Sequence, residues 1–253
     1  YSERGALKVK MKDSKGAAAD FETAIGLDPD NPLSYYNKGV AKYEVGDIEG
    51  SIIEFSKSIN LMPSPNSYFA RGKARHDLND LKGALEDYNK TLELDNTYSM
   101  AYLNRGIIKR SVNDFKGAEY DLEVSLNYDS LSSNGNFNMG LIKLDLNKYS
   151  EAKTFFLKAI KANPKYAKAY NGLGTAFMRL DNMKQALLSF NKAIELDPSF
   201  PLAWLNRGLL HLNSGDTGSA IKDFTKAIEK NPANFAAYFN RGMAYSKLKD
   251  RNN

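Results

Sequence analysis

The chain has 253 residues, 42% of them hydrophobic and 26% charged, which is ordinary for a soluble protein with a buried core. Its 35 basic and 30 acidic residues give a net charge of +5, too small an excess to indicate a strongly anionic partner. The absence of cysteine excludes disulfides and thiolate metal sites, and no apolar run approaches the roughly 18 residues of a membrane span.

A glycine recurs along the whole chain at a nearly constant interval. The interval is 34 residues in six cases and 33 in one, and this period is typical of a solenoid built from repeated units. The recurring residues are Gly5, Gly39, Gly72, Gly106, Gly140, Gly174, Gly208 and Gly242. We number positions within each repeat from this glycine, so that position +16 is the sixteenth residue after it.

Each repeat is predicted to form two helices joined by a polar turn. The first helix carries the glycine, and its apolar residues recur at helical spacing. Turns such as EVGD at residues 44–47 and NSGD at residues 213–216 precede the second helix, which proline at +24 ends in five copies. The second helix has a small residue at +12 and a large one at +16, which is Phe21, Phe55, Tyr88, Leu122, Phe156, Phe190 or Phe224.

The recurring glycine is explained by packing between the two helices. Glycine inside a helix costs about 1 kcal/mol relative to alanine, so its repetition requires a reason. The helices are predicted to fold back antiparallel and to come closest at Gly208 and Ala220, with Phe224 filling the space beside them. Aspartate is expected to cap the second helix at Asp13, Asp47, Asp80, Asp114, Asp216 and Asp250.

With an aromatic residue at −4 in most copies, this pattern resembles the tetratricopeptide repeat family over essentially the whole chain. The resemblance implies an all-α, right-handed superhelical solenoid of antiparallel helix pairs. As a single array over residues 1–253, it would comprise a partial repeat at 1–31, six full repeats and a half repeat at 235–253. The full repeats are predicted at residues 32–64, 65–98, 99–132, 133–166, 167–200 and 201–234.

Two features depart from a regular array. The segment before Gly140 lacks both the proline and the aromatic residue, so we expect its helix to start late after Ser130 and residues 130–138 to exchange hydrogen faster than other turns. The last helix carries apolar residues at Phe235 and Tyr245 but stops before a partner helix. We therefore expect a fragment of a longer protein, with any targeting segment and the compartment left open, or self-association through this end.

The sequence offers no constellation that indicates catalysis, so no enzyme activity, cofactor or metal is expected. The two histidines, His76 and His211, lie in different repeats without a paired nucleophile. The glycines fit no phosphate-binding or dinucleotide-binding motif and are explained by packing. Metal binding by the aspartates of the turns is the weaker alternative to helix capping.

The family resemblance implies that the first helix of each pair lines a concave groove in which partner peptides bind. The expected apolar contacts are Tyr36, Phe69, Leu103, Phe137, Leu141, Leu205 and Phe239. Position −2 carries asparagine, whose amide can bond the backbone of an extended peptide, at Asn37, Asn104, Asn138, Asn206 and Asn240. Each of these side chains could instead pack or bond within its own array, and that alternative stays open.

Three functions fit these observations. The leading prediction is a protein–protein interaction scaffold that binds a partner peptide segment, of unknown identity, in its groove. An alternative is the substrate-recognition arm of a larger enzyme or assembly. The third is single-stranded RNA binding, which the apolar groove disfavours because a nucleic-acid backbone requires a basic track.

Overall fold

The computed structural model describes residues 1–250, which form 15 α-helices and no strand, so the all-α prediction is confirmed. The chain divides into two compact units, Tyr1–Tyr128 and Asp129–Asn253. The first unit contains α1 (Ser2–Lys10), α2 (Ser14–Leu27), α3 (Pro32–Glu44), α4 (Ile48–Leu61), α5 (Pro65–Asp77), α6 (Leu81–Leu94), α7 (Ser99–Ser111) and α8 (Phe115–Tyr128). The second contains α9 (Ser133–Asp145), α10 (Tyr149–Ala162), α11 (Ala167–Arg179), α12 (Met183–Leu196), α13 (Pro201–Asn213), α14 (Thr217–Lys230) and α15 (Phe235–Asp250).

Within each unit, every helix packs against its neighbours in the chain. The tightest pairs are the two helices of one repeat, such as α3 with α4 and α13 with α14. Odd-numbered helices also contact one another, as in α9 with α11 and α11 with α13. Since the even-numbered helices of a unit make no comparable contacts among the described residues, the odd-numbered helices lie on the inner side of each unit.

The structure shows why the repeated position requires glycine. A Cβ atom built on Gly39 would lie 2.6 Å from a ring carbon of Phe55, and one on Gly208 would lie 2.7 Å from Phe224. Both rings are almost completely buried. The large side chain at +16 therefore packs directly on the backbone of the first helix, as the sequence predicted. At Gly242, where no second helix is described, nothing lies within 4 Å.

The turns inside the repeats share one backbone conformation. Position +7 has a positive φ in all seven turns, with glycine at Gly46 and Gly215 and side-chain-bearing residues at the other five. The aspartate caps follow as predicted, and Asp47, for example, accepts a hydrogen bond from the Gly50 amide at 2.9 Å. The other capping residues are Asp13, Asp80, Asp114 and Asp216. Asp250 ends α15, and its predicted cap and residues 251–253 lie outside the described residues.

The helix before Gly140 does not start late, so that expectation is wrong. Helix α9 begins at Ser133, seven residues before its glycine, as the first helices of the other full repeats do. Asn136 replaces the aromatic residue of position −4 and is 2% exposed, with its amide donating to the carbonyl oxygens of Ser130 and Ser132 at 3.1 and 2.9 Å. These bonds fix the start of the helix. Faster exchange at residues 130–138 stays a prediction, as does the continuity of one array.

Candidate functional site

All twelve predicted contact residues lie on odd-numbered helices, on the inner side of their own unit. In the first unit they belong to α3, α5 and α7, and in the second to α9, α13 and α15. We refer to this surface of each unit as the odd-helix face.

Three of the four aromatic residues at position −3, Tyr36, Phe69 and Phe137, are half-buried because each packs against the +16 ring of its own repeat. The ring centroids are 5.9 Å apart for Tyr36 and Phe55, and 6.0 Å apart for Phe137 and Phe156. Phe69 lies 5.8 Å from the Tyr88 ring in the same way. These residues anchor the odd-helix face to the core while keeping part of each ring accessible.

The other apolar residues of the predicted set are placed differently. Leu103 is 1% exposed and Leu205 is 7% exposed, so both belong to the core and offer a ligand almost no surface. Phe239 is 56% exposed and stacks on Phe235 within α15, with ring centroids 6.2 Å apart. Leu141 is partly buried against the core around Phe156. The accessible apolar surface of the predicted set therefore comes mainly from its aromatic members.

Two tyrosines that sequence reasoning missed extend these aromatic pairs. Tyr98 and Tyr166 stand at position −8, just before α7 and α11, and their rings lie 4.9 Å from Phe69 and 5.0 Å from Phe137. The Tyr98 hydroxyl donates to Asn66 Oδ1 at 3.1 Å, and burial raises the pKa of both tyrosines. The sequence signal that could have identified these two tyrosines is the aromatic residue that recurs at position −8 in their repeats.

The asparagines of position −2 are partly committed to bonds within the chain. The Asn206 amide donates to Asn171 Oδ1 at 2.9 Å, and the Asn240 amide donates to a backbone carbonyl of its own helix at 2.8 Å. Asn138, only 8% exposed, donates to Asn134. In these three residues the NH2 group is used, and the side-chain oxygen remains as an acceptor for a ligand N–H group.

Asn104 lies beside the buried hydroxyl of Tyr88. Burial raises the pKa of Tyr88, and the neighbouring amide offsets part of that rise. Asn37 is half-buried and makes no hydrogen bond through its side chain within the described residues. These two asparagines of the first unit therefore have the most hydrogen-bonding capacity left for a ligand.

A pocket of about 310 Å³ opens on the first unit between α3 and α5. The rings of Tyr36, Tyr43 and Phe69 form much of its wall. The Tyr43 hydroxyl donates to Asp77, and burial together with that carboxylate raises the pKa of Tyr43 to about 12. The ammonium group of Lys73 lies 4.6 Å from the centre of the Tyr43 ring. The pocket thus combines an aromatic wall with one cation, Lys73, and one carboxylate, Glu44.

The opposite side of the repeats carries an ordered array of ion pairs that the sequence reasoning also missed. Arg71 at position −1 holds Asp87 at +15 in two bonds of 3.0 and 2.7 Å, and Arg75 at +3 contacts the same carboxylate at 2.9 Å. Asp121 is bound likewise by Arg105 and Lys109. Each of these carboxylates is at most 2% exposed.

This ion-pair array ties each hairpin together and also reaches the next repeat. The Arg105 guanidinium donates to Asn89 of the preceding repeat at 2.7 Å and stacks on the Tyr102 ring at 5.4 Å, which explains the aromatic residue of position −4. At one end of the array, Arg4 and Lys8 hold the pKa of Asp20 well below its usual range.

Two repeats lack the array. Where the others have a basic residue at −1 and an acidic one at +15, the repeat of Gly140 has Met139 and Phe155, and that of Gly174 has Leu173 and Ser189. Neither hairpin therefore has the ion pair between −1 and +15, although Lys143 at +3 of the Gly140 repeat pairs instead with Glu151 at 2.6 Å.

The two histidines lie in different surroundings. His211 occupies position +3 of the ion-pair array, with Nδ1 3.6 Å from Asp216 and Nε2 3.9 Å from Asp223. It stands where five other repeats place a lysine or arginine, so it belongs to the polar array and not to the apolar core. His76 is half-buried on α5 at the rim of the odd-helix face.

The described part of the chain also bears on metal binding and on membrane insertion. Within residues 1–249, no three histidine, cysteine or acidic side chains converge in a way that could hold a metal ion. No helix described in the structure has the length and apolarity to cross a bilayer.

Comparison with known families finds matches to three models of the tetratricopeptide repeat. They match residues 167–200 and 201–234, residues 224–251, and residues 1–31, 65–98 and 134–166, which together are more than half of the chain. Among curated protein sequences, none is significantly similar.

Solved structures share the fold at low sequence identity. A chain of the APC/C hetero-tetramer Cut9–Hcn1 superposes with a TM-score of 0.82 at 17% identity over 96% of this chain. The present chain spans only 48% of that neighbour. A tetratricopeptide repeat protein from Parabacteroides merdae gives 0.73 at 19% identity, with 96% of both chains covered. YrrB, described as having an unusual peptide-binding site, gives 0.61 at 20%, covering 74% of this chain and 96% of its own. At these identities the likeness concerns the fold alone.

Proposed function

Because the chain belongs to the tetratricopeptide repeat family, we propose that it is a protein-interaction scaffold without catalysis of its own. Its ligand is a segment of a partner protein, bound on the odd-helix face. The observation that carries this proposal is the set of half-exposed rings at position −3, of which Tyr36, Phe69 and Phe137 are each fixed against a buried ring.

Rigid aromatic side chains of this kind support binding for two reasons. They present a large apolar area, and such residues are enriched among the contacts that dominate protein interfaces. They are also already ordered by the core, so little rotamer entropy is lost when a ligand covers them. Asn37 and Asn104 stand next to these rings and supply amide groups for the backbone of an extended segment.

A direct test places a photo-crosslinking residue on each face of the molecule. Benzoylphenylalanine replaces Tyr36 or Phe137 on the odd-helix face, and Leu157 of α10 serves as the control because it is 46% exposed on an even-numbered helix. A displayed library of random peptides then supplies ligands selected on the unmodified chain. We expect the selected peptides to crosslink at positions 36 and 137. Crosslinking at position 157 alone would contradict the proposal.

The second candidate is a recognition arm of a larger enzyme or assembly. The observation that favours it is that the chain spans about half of the matched chain of the Cut9–Hcn1 hetero-tetramer. This candidate uses the same odd-helix face and differs only in what the scaffold is joined to. Sequencing the full gene distinguishes the two, since a catalytic domain in the same polypeptide would favour the arm.

A further inference from the structure

Position −2 holds asparagine in most repeats, and Ala70 and Gly172 are the exceptions beyond the partial first repeat. In the structure this position lies beside the +16 side chain of the preceding repeat. Asn104 is next to Tyr88, and a Cβ atom on Gly172 would lie 2.5 Å from a ring carbon of Phe156. At Gly172 the ring itself fills the space, so glycine is required there for packing.

The space beside Ala70 is open instead. Ala70 and Phe55 both line the pocket of about 310 Å³, together with the rings of Tyr36, Phe69 and Tyr98. Alanine ends at its Cβ atom, so the carboxamide that asparagine carries at this position in other repeats is missing. The pocket is therefore open because position −2 of this repeat carries the small side chain of Ala70.

The walls of this pocket are held in place before any ligand arrives. Tyr98 is fixed by its hydrogen bond to Asn66 and by the Phe69 ring, 4.9 Å away. Tyr36 lies 5.9 Å from the fully packed ring of Phe55. A ligand group that enters the pocket meets rings that need not be ordered on binding, which favours affinity.

The size and chemistry of the pocket select one kind of side chain. A cavity of about 150 Å³ accommodates benzene, so a pocket of about 310 Å³ accommodates an aromatic side chain. Rings on several sides favour the offset and edge-to-face contacts that aromatic groups prefer. Lys73 stands at the mouth, is exposed, and forms no ion pair with a carboxylate among residues 1–249. Its charge favours an acidic group beside it at the entrance, whereas the carboxylate of Glu44, which also lines the pocket, accepts a hydrogen bond from Ser14 at 2.9 Å.

We propose that the Ala70 pocket binds one aromatic side chain of the partner segment, with an acidic residue beside it placed against Lys73. This inference rests on the proposed scaffold function and specifies the ligand of the odd-helix face. It assigns the ligand selectivity of the first unit to two residues: Ala70, which leaves space for the ring, and Lys73, which supplies the charge.

The test uses phenylacetate, which joins an aromatic ring to a carboxylate, as a probe for the whole chain. Binding is followed by NMR at the methyl groups of Val40, which lines the pocket and is present in every variant, with an expected Kd on the order of millimolar for so small a ligand. Benzyl alcohol is the matched probe without charge. The matched variants are Ala70→Asn, which restores the residue found in other repeats and so is compatible with the fold, and Lys73→Gln. Asn206→Ala in the second unit is the control variant.

We expect Ala70→Asn to weaken both probes by about tenfold, because the added carboxamide narrows the pocket and places a polar group against its rings. Lys73→Gln should weaken phenylacetate about threefold and leave benzyl alcohol unchanged, since only the former has a charge. Asn206→Ala should change neither. Equal binding to the parent chain and Ala70→Asn, with an unchanged unfolding transition, would overturn the inference.

Peptides selected from the displayed library separate failure of the pocket from failure of the scaffold. We expect them to carry an aromatic residue next to an acidic one and to bind Ala70→Asn more weakly. If they bind the odd-helix face without such a pair and with the same affinity for Ala70→Asn, the pocket inference fails and the scaffold stands. If no peptide binds the odd-helix face, the scaffold fails, and with it the assignment of a partner to the pocket.

Discussion

Replacing Gly208 by alanine tests the packing that defines every repeat. The added Cβ atom would lie 2.7 Å from a ring carbon of Phe224, whereas carbon atoms in contact are normally about 3.5–4.0 Å apart. The Phe224 ring is completely buried and so has little room to move. Overpacking of this kind costs about 1–3 kcal/mol, while alanine gains about 1 kcal/mol in helix propensity. The difference of these two values gives an expected net destabilisation of about 0–2 kcal/mol, instead of the stabilisation that propensity alone would produce.

Gly242 provides the matched control for this substitution. It occupies the same position in α15, but a Cβ atom there would meet nothing within 4 Å. Gly242→Ala should therefore stabilise the helix by up to about 1 kcal/mol. Native-state hydrogen exchange of the amides in α13, α14 and α15 measures both effects locally, which avoids assuming that a repeat protein unfolds in one step. Equal stabilisation by the two substitutions would refute the packing argument.

Four further predictions concern the ion-pair array, the turns and the joint. Asp121→Asn should destabilise the chain by about 3 kcal/mol because it leaves the cations of Arg105 and Lys109 around a buried site. As the control, Lys90→Gln removes an exposed ion pair with Glu93 and should have no measurable effect; urea denaturation measures both. Lys12→Gly should stabilise by about 1 kcal/mol in the same assay, since Lys12 has a φ of 62°. The pKa of Asp20 is lowered in the folded state, so its contribution is present above pH of about 4 and is lost as pH falls, and Asp20→Asn should flatten the acid side of the stability profile. Amides at residues 130–138 should exchange hydrogen faster than those of the other turns between repeats.

Each of these predictions has an outcome that contradicts it. A cost below about 1 kcal/mol for Asp121→Asn would mean that water replaces the carboxylate without penalty. Destabilisation by Lys12→Gly would show that the flexibility glycine adds to the unfolded chain outweighs the strain at the turn. An acid profile that is the same with and without Asp20 would locate the pH dependence elsewhere. Exchange at residues 130–138 equal to that of the other turns would indicate that the Asn136 network holds this joint.

The helix pairs, caps and close contacts were predictable because each depends on residues at a fixed spacing within one repeat. Gly208 and Phe224 are an example, since period and helix propensity suffice to pair them. The ion-pair array was missed because only the turn aspartates at +8 were interpreted, and the opposite charges at positions −1 and +15 were not compared with each other. The late start before Gly140 was wrong because a buried asparagine side chain replaced the missing ring.

The candidate site was predictable as a surface but not in detail. The odd-helix location of the contact residues follows from the repeat, whereas their accessibility depends on how adjacent helices pack. Leu103 and Phe69 share position −3, yet the first is buried and the second lines a pocket. That difference arises from neighbouring side chains such as Tyr98 and Ala70, which belong to other positions of the repeat or to exceptions in it.

The pairing of each helix with its neighbours in sequence also affects how the chain folds. Inside each unit, contacts join segments that are close along the polypeptide, so little loop-closure entropy opposes their formation. Any hairpin can serve as a nucleus, and folding can spread from it in either direction. Repeats can therefore be gained by duplication or lost by deletion without the remaining repeats having to find new packing partners.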